Sequence, residues 1–181
     1  LVVPEIRLDG SPNHFPFWAG ILAAIVEQKW GQVAILDLNA LRINYGGNQV
    51  PLRVIADEIS SEKWDIVGIG GLTTTYARIK QLAPIIRKYA PDSLFVGGGG
   101  WSSYNPTEIL ELIPELDQIV IGEGEETFAE LYDQVNNNSK DFENINGLCI
   151  RDPTLGYKFT APRALIPDLN TVPYPAYDLM E

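Results

Sequence analysis

Three stretches of the chain combine residue types that can hold a flat or phosphate-bearing ligand. They are Gly70-Gly71-Leu72-Thr73-Thr74-Thr75, Gly97-Gly98-Gly99-Gly100-Trp101-Ser102-Ser103 and Gly122-Glu123-Gly124-Glu125-Glu126. Glycine has no Cβ, so its backbone can approach a ligand closely or turn with positive φ. The hydroxyls beside it can donate to, or accept from, a ligand edge or a phosphate. One such loop needs no explanation beyond a tight strand-to-helix turn. Three in succession, one with four consecutive glycines, mark a binding edge. Trp101 and Trp18 could cover an aromatic ligand there, although Trp18 belongs to a helical stripe and has the core as its alternative place. Glu123, Glu125 and Glu126 resemble an acid/base cluster, but carboxylates opening a helix are accounted for by its positive N-terminus. Glu123 is kept as a ligand contact. His14, the only histidine, lies after the first strand on the ligand side, where its ring nitrogen is a candidate metal ligand; a solitary loop histidine is more often a surface residue.

The elements that must position these loops are short β-like runs alternating with stretches of helical period, the pattern of a parallel sheet flanked by helices. Strands are expected at residues 1–3, 33–38, 65–71, 94–99 and 118–122, each of the last three running into one of the glycine-rich loops. Between them, Trp18, Ile21, Leu22, Ile25 and Val26 form a helical stripe that Gly31 stops. Leu52, Ile55, Ala56 and Ile59 follow Pro51, which fits a first helical turn. Residues 39–49 read as a loop. Ile79, Leu82, Ala83 and Ile86 make a helix that Pro84 should kink or split. Asn105-Pro106 opens a short helix, and Phe128, Leu131, Tyr132 and Val135 mark the last. Residues 147–151 and 157–160 then read as a hairpin around Asp152-Pro153 and Gly156.

The expected fold is therefore a flavodoxin-like, doubly wound α/β domain with a five-stranded parallel sheet and a small C-terminal β-hairpin. Residues 1–138 make the α/β unit, 139–162 the hairpin appendage, and 163–181 a proline-rich extended hinge leading elsewhere. In such a sheet, ligands bind beyond the carboxyl ends of the strands, near the point where strand order reverses.

Composition narrows the partners. Thirteen Lys and Arg against 24 Asp and Glu give a net charge of −11, which repels phosphate backbones and argues against nucleic-acid binding. The longest apolar run, residues 17–26, is too short to span a bilayer and has no charged segment before it, so no membrane association is expected. One cysteine, Cys149, excludes a disulfide framework and a multi-cysteine metal cluster in this sequence, and points to the cytoplasm. The chain opens without methionine inside a strand and ends after prolines, as a trimmed fragment would.

Other ligand-binding signatures fit poorly. A P-loop needs a lysine after its glycines, where Trp101 stands. A dinucleotide fingerprint follows the first strand, whereas these glycines follow later ones. A phosphoreceiver needs an aspartate where Gly70 and Gly71 stand, and Asp65 is at the wrong end of its strand. Ser11 alone is thin support for an FMN phosphate loop.

Several segments, in order, resemble the cobalamin-binding N-terminal domain of radical-SAM proteins. FPFWAGILAAIVEQKWGQVAILDLN resembles its first helix and second strand, and DIVGIGGLTTTYARIKQLAPIIRKYAPDSLFVGGGGWSSYNPTEIL its third and fourth strand units. QIVIGEGEETFAEL is similar to its fifth, and INGLCIRD through RALIPDLNTVPYPAYDLM to its hairpin and hinge. The GEGE element and the PYPAYDLM hinge are the most specific parts.

The resemblance implies a corrin ring over the carboxyl edge with its nucleotide tail threading toward the sheet. Thr73 and Thr74 would line the tail, Gly97, Gly98, Gly99 and Gly100 would give it room, with Trp101 and Ser102 beside them, and Gly122, Glu123 and Gly124 would border it. The DxHxxG motif that supplies a histidine below cobalt is absent, since His14 has the wrong spacing between Asp9 and Gly20. The CxxxCxxC motif for a 4Fe-4S cluster and S-adenosylmethionine would follow the hinge, in a domain beyond this sequence. The implied function is a cobalamin-binding module serving its parent's own radical-SAM domain in methyl transfer or a related radical conversion, without turnover of its own. One alternative is a degenerate module for docking or substrate recognition, its edge blocked by Trp101 and Tyr104. The other is a nucleotide- or flavin-binding flavodoxin-like protein.

Overall fold

The computed structural model describes residues 1–6, 8 and 15–180. The strands are β1 (Val2–Val3), β2 (Leu36–Asp37), β3 (Ile66–Gly70), β4 (Leu94–Gly98), β5 (Gln118–Val120), β6 (Leu148–Asp152) and β7 (Gly156–Phe159). They join in one sheet of order β2-β1-β3-β4-β5-β6-β7. The first five are parallel, β6 pairs antiparallel with β5, and β7 pairs antiparallel with β6. The hairpin thus extends the sheet itself, with Ile119 opposite Cys149. Chain order reverses between β1 and β3, because β2 is added on one side of β1 and every later strand on the other.

Helices α1 (Phe17–Gln28) and α6 (Glu125–Asn136) pack together on one face. On the other lie α3 (Leu52–Ser60), α4 (Tyr76–Tyr89) and α5 (Pro106–Leu112), with α2 (Leu38–Leu41) a short turn after β2. Strand alternation decides which residues meet which layer. Val67, Ile69, Phe95 and Ile119 enter the main core with Ile55, Ile79, Leu82 and Leu110 from the helices. Val96 and Val120 point the opposite way, toward Leu131 of α6.

Two local features differ from the sequence expectation. The stretch read as a loop after β2 contains α2 and a 3-10 turn at Arg42–Tyr45. The Asp37 carboxylate caps α2, accepting from Asn39 N at 2.8 Å and Ala40 N at 3.1 Å. Helix α4 runs unbroken through Pro84. Proline removes one helical donor, yet Ile79, Leu82, Ala83 and Ile86 are buried against the sheet along one side and hold both halves in line.

The proline-rich end also packs back onto the domain. Arg163 makes a bidentate pair with Glu130 of α6 at 2.6 and 3.0 Å, and its Nε donates to Thr127 Oγ1 at 3.1 Å. Farther on, Ala176 N donates to Gly20 O at 3.0 Å. A Cβ on Gly20 would come within 2.8 Å of Pro175 and Met180, so the glycine in α1 is the seat of this tail. Among the described residues no helix is long and apolar enough to cross a membrane.

Candidate functional site

A cleft of about 340 Å³ opens at the carboxyl end of the parallel strands, between the sheet and the α1/α6 layer. It lies at the reversal point, lined by Leu1 and Val3 around β1 and by Gly68 and Gly70 on β3. It exists because of what β3 and β4 present on that face. In Ile66-Val67-Gly68-Ile69-Gly70, the branched residues at 67 and 69 go to the core, leaving glycines at 68 and 70 toward α1 and α6. A Cβ at Gly70 would lie 2.7–2.9 Å from three ring atoms of Trp18, and one at Gly68 would stand 3.7 Å from Phe128. The Trp18 ring therefore rests where a side chain at 70 would otherwise be, Leu1 Cδ2 does the same at 68 from 2.9 Å, and the Phe128 ring lies in ordinary contact beside it. Gly98 of β4 and Leu22 of α1 complete the walls.

The loops at the mouth are held tightly. Gly99 has φ +92°, and a Cβ there would sit 2.9 Å from Gly71 O, so the turn after β4 can press against the turn after β3 only as glycine. Gly100 and Gly122 face open space. Behind the loops, Arg78 of α4 is buried against Glu5, its Nε and Nη2 donating to the carboxylate at 2.7 and 2.9 Å. The same Glu5 accepts from Val50 N at 2.9 Å, so the segment after β1 is tied both to α4 and to the stretch leading into α3. A buried pair with both partners this well bonded fixes geometry more surely than it adds stability.

The carboxylates divide by partner. Glu123 accepts from Ile166 N at 2.7 Å, joining the loop after β5 to the returning tail. Glu126 meets Arg163 at 3.3 Å. Glu125 lines the cleft, and its Oε2 is buried without a hydrogen-bond partner. Such an acceptor is costly unless a donor reaches it.

A family model described as the B12 binding domain matches residues 10–132. The chain belongs to the B12-binding domain family. An uncharacterized methyltransferase of Pyrococcus horikoshii is 31% identical over 116 residues, 64% of this chain and 25% of the relative. Cytidylyl-2-hydroxyethylphosphonate methyltransferase of Streptomyces wedmorensis is 28% identical over 160 residues, 81% of this chain and 29% of the relative. Among solved structures, the radical S-adenosylmethionine methyltransferase TsrM of Kitasatospora setae, with cobalamin and a 4Fe-4S cluster bound, aligns at TM-score 0.74. It is 20% identical, covering 96% of this chain and 30% of TsrM. The cobalamin-dependent S-adenosylmethionine radical enzyme OxsB, with aqua-cobalamin and S-adenosylmethionine bound, aligns at 0.79 with 18% identity, covering 98% of this chain and 24% of OxsB. These structural likenesses show the shared fold. The chain spans between a quarter and three tenths of the length of the two curated relatives named here.

In this B12-binding domain the structure brings Gly97, Gly98, Gly99, Gly100, Gly122, Glu123 and Gly124 around the cleft. It does not bring Trp101 there. The Trp101 indole is buried in the main core on the far face of the sheet, where Gly97 leaves room for it, and its Nε1 donates to Gly98 O at 2.7 Å. Ser102 is fully buried and donates to Gly99 O at 3.3 Å, so its hydroxyl serves the turn. Thr73 and Thr74 lie exposed on a 3-10 turn, and it is Thr75 that lines the cleft, with its hydroxyl donating to Leu72 O at 2.7 Å. Tyr104 is exposed and Trp101 turned away, so neither blocks the edge. His14 lies outside the described residues. Among the described residues no group of three or more His, Cys, Asp or Glu could hold a metal ion. Sequence reasoning missed Gly68, Leu22 and Phe128, and weighed Trp18 only against a core role. Glycine at alternate positions inside a strand, Gly68 and Gly70, was the signal for a close approach on that face.

Proposed function

We propose that this chain is the cobalamin-holding module of a larger radical-SAM enzyme, one that performs methyl transfer or a related radical conversion in a separate domain. The observation that carries the reading is the apolar, glycine-walled cleft at the sheet's reversal point in a member of the B12-binding domain family. The residues present fit the group. Gly68, Gly70 and Gly98 withhold side chains where a nucleotide tail would enter, and Gly100 and Gly122 leave the mouth open beneath a corrin ring. The unpartnered Glu125 oxygen suits a carboxamide N–H, of which cobalamin carries several. On this reading Thr73 and Thr74, exposed outside the cleft, would meet the ring's periphery, and Gly97, Glu123 and Gly124, which line the cleft, would border the tail.

Bound cobalamin supplies a cobalt centre able to carry and release an alkyl group. The chain's part is to bind and orient it: apolar walls exclude water from the tail, and the Glu5–Arg78 pair keeps the loops after β1 and β3 in fixed relation. A 4Fe-4S cluster and S-adenosylmethionine belong to the partner domain.

Visible-absorbance titration of the chain with hydroxocobalamin tests this, alongside Gly98→Trp. The expected result is saturable binding in the wild type, weakened at least about a hundredfold in a variant that still melts cooperatively. A folded wild type that shows no saturation at high micromolar cobalamin overturns the reading.

A further inference from the structure

The cleft's aromatic residues come from two helices and meet one strand. Trp18, in the first turn of α1, lies with its six-membered ring over Gly70; Phe128, in the first turn of α6, reaches Gly68 on the same face of β3. Both line the cleft, Phe128 almost wholly buried and Trp18 half-buried, so that the indole is the more accessible wall. Val96, Val120 and Leu22 complete an apolar surround. A slot with an aromatic wall and aliphatic sides suits a flat aromatic ring, which gains offset or edge contact as well as burial. It offers little to a chain of amides or to a bare sugar phosphate.

Resting on the cobalamin reading, we propose that Trp18, seated on Gly70, is the specificity-determining residue for the corrinoid's lower base. It selects corrinoids with a flat aromatic base over those with none. Gly70 is part of the device. A methyl group there would meet the indole at 2.7 Å and drive it out into the space the base would use. The two positions should therefore act as one unit, with a smaller ring at 18 offsetting a larger residue at 70.

The test measures dissociation constants of the chain by equilibrium dialysis for two probes, hydroxocobalamin and hydroxocobinamide, which has the same ring without the nucleotide. Wild type should hold cobalamin roughly tenfold or more tighter than cobinamide. Trp18→Ala and Gly70→Ala should each bring that ratio close to one by weakening cobalamin, with cobinamide moving less than about twofold. Trp18→Phe should keep part of the ratio, and Gly70→Ala with Trp18→Phe should bind cobalamin better than Gly70→Ala alone. Should Trp18→Ala fail to fold, the Gly70→Ala and Trp18→Phe pair carries the test. Equal wild-type affinity for both probes overturns the inference, as does a parallel fall of cobinamide and cobalamin in the variants, which marks a merely structural indole. Absence of any cobalamin binding by folded wild type overturns the underlying reading instead.

Discussion

The two faces of the central strands use the same backbone for opposite ends. On the α3/α4 face, β3 and β4 present Val67, Ile69 and Phe95, and the one glycine there, Gly97, is filled by Trp101. On the α1/α6 face the same strands present Gly68, Gly70 and Gly98; Leu1 and Trp18 come down on the first two, and the room left beside them and in front of Gly98 stays open as the cleft. The closed face supplies stability and the open face supplies a site. Because side chains alternate with period two, neither can be changed by shifting the strand without ruining the other.

Substitutions can separate the two roles. Ile69→Ala empties the closed face and should lower unfolding free energy by about 2–5 kcal/mol in chemical denaturation, with the cobalamin affinity of the folded fraction unchanged. A parallel loss of affinity would show that the two faces are not independent. Neighbouring glycines give the sharper contrast. Gly97→Ala would place a methyl group 2.8 Å from Ile119 and 3.1 Å from Trp101, and overpacking of this kind costs about 1–3 kcal/mol. Gly98→Ala meets only Val120 at 3.7 Å, so its stability should stay within about 0.5 kcal/mol of wild type or rise slightly. The smallest effect concerns pH. Burial of Cys149 on the closed face pushes its thiol up to about 11 from an ordinary 9.0, against a weaker opposing pull from Arg151. The folded state keeps that proton where the unfolded chain has lost it, so stability should fall as pH rises from 9 toward 11. Cys149→Ala should flatten that part of the pH profile, whatever it costs at neutral pH.

Much of the architecture was legible because glycine-ended apolar runs alternating with helical stripes admit few folds. The family resemblance added the right relatives. What stayed hidden was which side of a loop each side chain takes. In the sequence Trp101 reads as the ligand-side indole and Trp18 has the core as its alternative place, yet the tryptophan three residues beyond its strand turned into the core, while the one in the opening turn of a helix reached the cleft. The hydroxyl run at residues 73–75 gave no sign that only Thr75 faces inward, because a 3-10 turn sets that direction. Helix α2 was missed, although Asp37 ahead of Leu-Asn-Ala-Leu is a cap signal. The proline-rich end reads in the sequence as an extended hinge, and its anchor points at Gly20, Thr127 and Glu130 were not legible there because all are distant in sequence.

The hairpin of β6 and β7 has a further bearing, on self-association. Strand β5 is buried along its whole length, and without β6 it would be the last strand of the sheet, offering an unpaired row of backbone donors and acceptors. Such an edge is a template for another chain's strand. With the hairpin in place, the outer strand is the short, partly exposed β7, which carries Lys158, and the opposite edge is the two-residue β2. Neither offers much to pair with. A version trimmed at residue 138 would uncover β5, so the hairpin acts as a guard against edge-to-edge pairing of the sheet.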